Sequence, residues 1–600
     1  LPLPHKAPSR LQCRPAIEQE PMSEQPTGWS RYVPIFSVIA SYRREDLNYD
    51  LVAGIVVGIV TVPQAIAYAF LAGLPPEAGL YACLLPMVLY ALLGSSPQLV
   101  VGPVAVAALM VADTIKDHAD QFGNDAIGIA TVLCMQAGLL LWLLRIFQLG
   151  GIVNILSRPV IGGFINGAVI LIVISQIPAL TGIPATPAEG PLFDLASMAG
   201  RISDVHAFTI AIGLASLLLL WLFPPLIKRL LPRTKGPRED SAILRTGPIF
   251  VAAGSILVVL VAGFETASVG YIPAGLPSIK APPFDLDLWI DLAPSAALIA
   301  IVAYVESFSV GSTLASRQRK RVNSHQELIA LGAANLGAAF TGAYPVAGSF
   351  SRSSVNYAAG GRTPVSSIVS ALVILIALLW LTPLFQILPH AALAAIIIVS
   401  VVGLVDFKDL KTHWRFYRLD VVTHVVTLAS VLAFGVETGL LTGVGVSILL
   451  FIRRSSRPQI TIVGRLGDST HFRNIERYHA ETWPKVVALR VDESLYFANA
   501  NRVEDRVLKI VETHHEARHI LLVCSSINFI DTSGLEMLRR INESLRSVSI
   551  KLHLSEVKGP LMDRLADTAF AQELSGQIFF TTDEATQILD QDAAGAIENP

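Results

Sequence analysis

Long apolar stretches, broken by short polar ones, fill the first three quarters of the chain. Windows long enough to cross a bilayer lie at 51–71, 80–94, 126–147, 160–180, 207–226, 247–264, 292–314, 326–341, 364–382, 390–405, 420–434 and 437–452. Two further apolar stretches, 98–112 and 344–360, are interrupted by Gly, Pro and Ser and read as an extended piece running into a short helix. Together these predict fourteen spans, in two sets of seven with matching order. The division of 420–452 into two spans rests on the glycines at Gly435 and Gly439.

Loop charge tests that count. With the N-terminus on the cytoplasmic side, loops after an even number of spans should carry the Lys and Arg. They do: Lys228, Arg229, Arg233, Lys235, Arg238 and Arg245 follow span six, and Arg317, Arg319, Lys320 and Arg321 follow span eight. Lys408, Lys411, Arg415 and Arg418 follow span twelve, and Arg453, Arg454 and Arg457 follow the last. Odd-numbered loops, such as 181–194 and 265–290, hold almost none, and a count off by one would invert the pattern halfway along the chain.

After Pro458 the pattern changes to that of a soluble domain. Strand-like runs at 485–491, 519–524 and 549–554 alternate with amphipathic helical patterns at 500–513, 534–547 and 559–567, which predicts a small α/β domain. The chain therefore divides into an N-terminal segment (1–46), a membrane domain (47–453), an α/β domain (458–591) and a tail (592–600). Residues 1–21 are Pro-rich and polar, lack the apolar core of a secretory signal, and precede Met22, a candidate start. The amphipathic stretch 29–42, followed by Arg43 and Arg44, suits the cytoplasmic membrane surface.

Composition sharpens the class. Of 600 residues 52% are hydrophobic and 15% charged, and a mean hydropathy of +0.56 fits a polytopic membrane protein. A net charge of −2 gives no nucleic-acid signal, and the four cysteines (Cys13, Cys83, Cys134, Cys524) stand singly, with no metal-ligand spacing. Nothing resembles a hydrolase triad or a phosphate-cradling loop, so no enzyme activity, no metal and no cofactor are expected.

The candidate chemistry sits in the two broken segments. At 344–357, an extended run to Gly348 leads into a helix starting at Ser349 or Ser351, which would place a helix N-terminus at membrane depth. Such an end attracts anions, and Ser349, Phe350 and Ser351 would offer hydroxyls, an apolar wall and backbone donors. Arg352 adds a permanent charge that needs an acidic partner, water or an anionic ligand. At 98–107, Gly102, Pro103, Val104 and Ala105 repeat the device, with Pro103 predicted at the first helical position. Two interrupted segments in corresponding halves point to an inverted repeat with the site between them. Glu306, in the middle of the eighth span, is either half of an ion pair with a cation such as Arg352 or, as we read it, part of an ion path. Ser307 and Ser309 would supply further oxygens if the coupling ion is sodium rather than a proton. Asn166, Gln176, Asn335 and His424 read as contacts between helices.

Five motifs taken in order, Pro-Gln-Ala-Ile-Ala-Tyr-Ala (63–69), Gly-Leu-Tyr (79–81), Val-Gly-Pro-Val-Ala (101–105), Gly-Ser-Phe-Ser-Arg-Ser (348–353) and Leu-Pro-His-Ala-Ala-Leu-Ala-Ala-Ile-Ile-Ile (388–398), resemble the sulfate permease family, also called solute carrier family 26. The resemblance covers nearly all of the chain from about residue 30. It implies a core domain (spans one to four and eight to eleven) moving against a gate domain (five to seven and twelve to fourteen), a homodimer, Gln64 at or near the substrate, and Glu306 at the coupling-ion position. Gln64 also reads as an interhelical hydrogen bond. The turn Ile530-Asp531-Thr532-Ser533-Gly534 is similar to the Asp-x-Ser-Gly motif of STAS domains, the fold of anti-sigma-factor antagonists. There the residue directly after the Asp is phosphorylated, which maps to Thr532, with Ser533 beside it. A helix cap by Asp531 and Ser533 explains the same residue types without a kinase.

These readings converge on a secondary anion transporter, with sulfate and proton symport expected. Sodium-coupled bicarbonate or C4-dicarboxylate transport is the alternative within the family. An anion channel, or a sensor signalling to a protein partner through the STAS domain, is the alternative of another class. The expected place is a bacterial inner membrane or a plasma membrane, with both termini cytoplasmic.

Overall fold

The computed structural model describes residues 33–118, 125–151, 157–183, 201, 205–230, 244–263, 266–405 and 414–595. Tertiary contacts divide the chain into two units, Leu1–Val444 and Gly445–Pro600. The division falls inside a helix, Val436–Ser455, rather than at the composition change after Pro458. The proposed start at Met22, residues 29–32 and the loop cations Arg233, Lys235, Arg238, Lys408 and Lys411 lie outside the described residues.

The first unit is helical. In chain order it contains α1 (Ile35–Ala40), α2 (Arg44–Leu71), α3 (Pro76–Tyr81), α4 (Leu85–Leu93), β1 (Val101–Gly102), α5 (Ala105–His118), α6 (Ala126–Ile146), α7 (Arg158–Thr181), α8 (Ala207–Leu230) and α9 (Gly247–Ala262). It continues with α10 (Leu286–Arg317), α11 (Ser324–Phe340), β2 (Ala347–Gly348), α12 (Phe350–Ala358), α13 (Val365–Ile376), a π-helical turn (Ala377–Leu381), α14 (Thr382–Phe385), α15 (His390–Val402), α16 (Arg418–Phe434) and α17 (Val436–Ser455). Every apolar window falls on a helix or on a strand followed by a short helix. Among the described residues, eight helices are long and apolar enough to cross a membrane. Large apolar side chains such as Trp221, Leu257 and Val261 face outward, as a lipid solvent requires.

Small residues bring these helices together. Gly54 and Gly58 lie one turn apart on the face of α2 that meets α13, and a Cβ on either would come within 2.7 Å of a valine side chain, Val369 or Val373. Glycine at both positions lets the two backbones approach, the usual solution where lipid gives no hydrophobic drive for helix association.

The second unit holds β3 (Ile460–Arg465), β4 (Phe472–Asn474), β5 (Val486–Val491), α18 (Ala500–Thr513), β6 (His519–Val523), α19 (Thr532–Ser547), β7 (Lys551–Ser555), α20 (Gly559–Ala566), α21 (Phe570–Glu573), β8 (Ile578–Phe579) and α22 (Thr582–Gly595). Its six strands run in the order β4-β3-β5-β6-β7-β8, parallel from β5 to β8 and antiparallel at β3 and β4. The three central strands are the ones the sequence predicts. β5 and β6 read as near-continuous apolar runs, as burial on both faces demands, whereas β7 alternates Leu552 and Leu554 with polar residues. The short edge strands carry no such signal.

Candidate functional site

The two broken segments meet. β1 and β2 pair antiparallel, Val101 opposite Gly348 and Gly102 opposite Ala347, and the Ser349 N–H extends the ribbon by donating to the Val100 carbonyl at 3.1 Å. A ribbon of two residues per strand at this depth leaves backbone groups that no water can serve. Side chains serve them instead: the Val100 N–H donates to Ser353 Oγ (2.9 Å), the Gly348 N–H to Ser307 Oγ (2.7 Å), and the Val346 N–H to Asn335 Oδ1 (3.0 Å). Asn335 also donates from Nδ2 to the Val346 carbonyl at 3.1 Å, so it clamps the strand rather than merely joining two helices.

Each strand ends at a helix N-terminus. α12 begins at Phe350, with Ser349 as its cap, although the Ser349 oxygen stands 3.5 Å from the Arg352 N–H, a long and weak contact. α5 begins at Ala105, with the Val104 carbonyl accepting from Ala108. Pro103 therefore precedes the helix instead of opening it. Gly102 is held extended by its pairing with Ala347, and a following proline restricts it to that conformation.

A cavity of about 190 Å³ lies against these elements. Its wall includes Val106 of α5, Phe164 of α7, Glu306 and Ser309 of α10, Phe350 of α12, Leu404, and Leu440 of α17. Among the described residues, Glu306 is its one ionisable lining residue, half-buried and facing the space. Of the residues singled out from sequence, Glu306, Ser309 and Phe350 line the cavity, while Val104, Ala105 and Ser349 are buried behind its wall. Ser351 is half-buried in the first turn of α12. Ser307 is fully buried and occupied with the Gly348 N–H and the Ala303 carbonyl. Gln64 donates from Nε2 to Ser400 Oγ of α15 at 3.4 Å, an interhelical contact.

Arg352 is the unexpected placement. It is wholly buried (0% exposed) rather than in a watery pocket, and none of its three guanidinium nitrogens has a hydrogen-bond partner among the described residues. Nor does it form an ion pair with Glu306 among the described residues. It stacks behind the ribbon, so close to Gly102 that a Cβ there would lie 3.2 Å from Nη2 and 3.3 Å from Cys83 Sγ. A permanently charged side chain buried without acceptors costs several kcal/mol, so the positive field it adds behind two helix N-termini must be offset by something else. Sequence reasoning missed the apolar wall, Phe164, Leu404 and Leu440 among it. Isolated apolar residues in apolar helices carry no local signal.

In the α/β unit the turn read as a STAS motif is a helix cap. Asp531 accepts from the Gly534 N–H at 2.8 Å and from the Phe497 N–H at 2.9 Å, and Thr532 is exposed.

Comparison with known proteins agrees with this architecture. The sulfate permease family model matches residues 47–427 and the STAS domain model residues 477–585. Sulfate transporter 4.1, chloroplastic, of Arabidopsis thaliana is 32% identical, over 97% of this chain and 87% of its own. A probable sulfate transporter of Mycobacterium tuberculosis is 32% identical, over 93% of this chain and 98% of its own. A structure of the murine Solute Carrier 26 family member A9 anion transporter in the inward-facing state superposes with a TM-score of 0.87 at 23% identity, over 96% of this chain and 97% of that one. The chain belongs to the sulfate permease family, a polytopic helical anion transporter with a C-terminal STAS domain.

Proposed function

We propose that this protein is a secondary transporter that carries sulfate together with protons. The observation that supports it most is the partnerless Arg352 guanidinium behind a ribbon from which two helix N-termini emerge beside one cavity. That arrangement suits a small divalent oxyanion, and two curated relatives above are named sulfate transporters. Gln64, Gly102 to Ala105 and Ser349 to Arg352 would form or support the anion site.

The coupling ion follows from the one acid in the wall. A protonated Glu306 removes a negative charge from beside the anion, so proton and anion favour each other's binding. Sodium needs several oxygen ligands, and with Ser307 committed to the ribbon, Glu306 and Ser309 are the only oxygen-bearing side chains among the described residues that line the cavity. The reading also takes fourteen spans, core and gate domains in a homodimer, and cytoplasmic termini in an inner or plasma membrane. The STAS domain is open to a protein partner, with Thr532 accessible for modification.

Sulfate uptake into proteoliposomes tests this. Uptake should rise as external pH falls, and Glu306→Gln should keep binding while losing the pH response. Arg352→Ala should weaken sulfate binding by roughly a hundredfold, with Arg352→Lys a partial rescue because the ammonium lacks the planar fork. Uptake indifferent to pH but driven by sodium would replace the proton. Unlabelled bicarbonate or a C4-dicarboxylate competing better than sulfate would replace the substrate. Large unsaturable currents would indicate a channel.

A further inference from the structure

Two carboxylates join α17 to α5 and α10 at one end of the cavity. Glu437, in the first turn of α17, accepts from Ser295 of α10 at 2.9 Å through Oε2 and from Thr114 of α5 at 3.1 Å through Oε1. In the opposite sense the Asp113 carboxylate of α5 lies beside Gly435, the residue that precedes α17. Its Oδ2 lies 3.9 Å from where a Cβ on Gly435 would sit. Asp113 thus faces the N-terminal end of α17 while that helix's own first-turn acid reaches back to hydroxyls of α5 and α10, so the two acids cross between the elements.

Its position relative to the cavity gives it a role. Val106, Val302 and Leu440 line the cavity, and Thr114, Ser295 and Glu437 lie on the same three helices, displaced toward one end. On α5 the displacement is about two turns, roughly 12 Å. Thr114 and Ser295 are buried, so no water competes easily for these bonds. α5 carries the ribbon strand β1 and α10 carries Glu306, whereas α17 supplies a wall residue from the gate set. If the first two move against the third, these bonds must break.

We propose that Glu437 and Asp113 are positioning residues for transport, a two-way latch that holds the cavity shut on the side where α5 ends. The inference rests on the transporter reading above and names contacts that reading does not use. Breaking the latch shifts the balance between the two access states. A hydrogen bond to a charged group is worth enough to change such a ratio by roughly tenfold to a hundredfold.

The test uses the full chain in proteoliposomes, with Cys13 replaced by serine and Leu440→Cys as reporter; Cys83, Cys134 and Cys524 are buried. A membrane-impermeant thiol reagent is applied from each side separately. Glu437→Ala should raise labelling from the side where α5 ends, relative to the other side, by about tenfold or more over the same reporter with the latch intact. Thr114→Val and Ser295→Ala, which each delete one hydroxyl, should shift the ratio the same way by less, and they carry the test if Glu437→Ala does not fold. A merely structural role would lower the Tm of all three while leaving the ratio within about twofold of the parent, and that result overturns the latch. Labelled sulfate uptake by the parent tests the transporter reading separately, so either can fail alone.

Discussion

Two strand-to-helix turns in this protein use the same local device to opposite ends. In the STAS unit, Asp531 caps α19 and its carboxylate satisfies two backbone N–H groups, Gly534 and Phe497. In the membrane unit, Ser349 caps α12 through a 3.5 Å contact, and the first turn carries a buried cation, Arg352, whose guanidinium donates to no acceptor among the described residues. The first helix end carries its own anion. The second is left positive, and no acceptor among the described residues offsets the cost of its buried charge. On the transport reading proposed above, what separates the structural turn from the proposed binding site is one side chain's charge.

That contrast is broken most severely by making the second turn like the first. Ser349→Asp places a carboxylate at the cap of α12. Two unit charges 4 Å apart repel by about 4 kcal/mol at an effective dielectric of 20, so binding of sulfate should fall roughly a thousandfold or more. Equilibrium binding to purified protein measures this, with a Tm equal to or above the parent's expected because the cap is better filled. Unchanged sulfate affinity would place the anion elsewhere.

The two units also bury cationic groups differently, and pH exposes the difference. Arg352 cannot shed its proton. His553, buried in β7, does: burial, with His519 and Lys551 beside it, pushes it down to about 4. Both its ring nitrogens are engaged in the neutral form, Nδ1 accepting from the Gln577 N–H at 3.0 Å and Nε2 facing His519 Nδ1 at 3.1 Å. The unfolded chain takes up this proton near the ordinary histidine value while the folded one does not. The stability His553 contributes is therefore present above about pH 6.5 and is lost progressively down to about pH 4, by roughly 3 kcal/mol in all. Thermal unfolding of the STAS unit followed from pH 7.5 to 4.5 should show the decline, and His553→Gln should flatten it.

The smallest effect is expected from the filled cap. Asp531→Ala should cost about 1 kcal/mol of STAS stability, a Tm lower by a few degrees, with sulfate affinity unchanged. A loss of sulfate affinity in this variant would show that the two turns are not independent.

Much of this was legible in the chain because lipid imposes a simple rule. A bilayer tolerates only backbone that satisfies itself, so long apolar windows had to be helices, and the two polar interruptions had to be buried in protein or border a cavity. Strands β5 and β6 of the STAS unit were equally plain, since burial on both faces writes itself as Val, Ile and Leu runs, and β7 was marked by alternation. The same local chemistry marked Ser349 and Asp531 as caps. Local pattern misplaced Pro103, because only the pairing of Gly102 with Ala347 keeps that residue out of the helix. The π-helical turn at Ala377–Leu381 and the edge strands β4 and β8 left no such local signal, and β3, an inner strand between β4 and β5, was missed although Ile460-Thr461-Ile462-Val463 is rich in β-branched residues.

The sequence by itself determined which segments are apolar, where they break and which residues carry charge, because those depend on periodicity and composition alone. Tertiary structure decided what each polar group faces. It turned Ser307 and Asn335 into clamps for the ribbon, left Glu306 on the cavity wall, and put Arg352 behind Gly102 with nothing to bind. Those outcomes depend on which of two strands, some 250 residues apart, meet in register, and hydrogen bonds between distant segments leave no trace in local pattern.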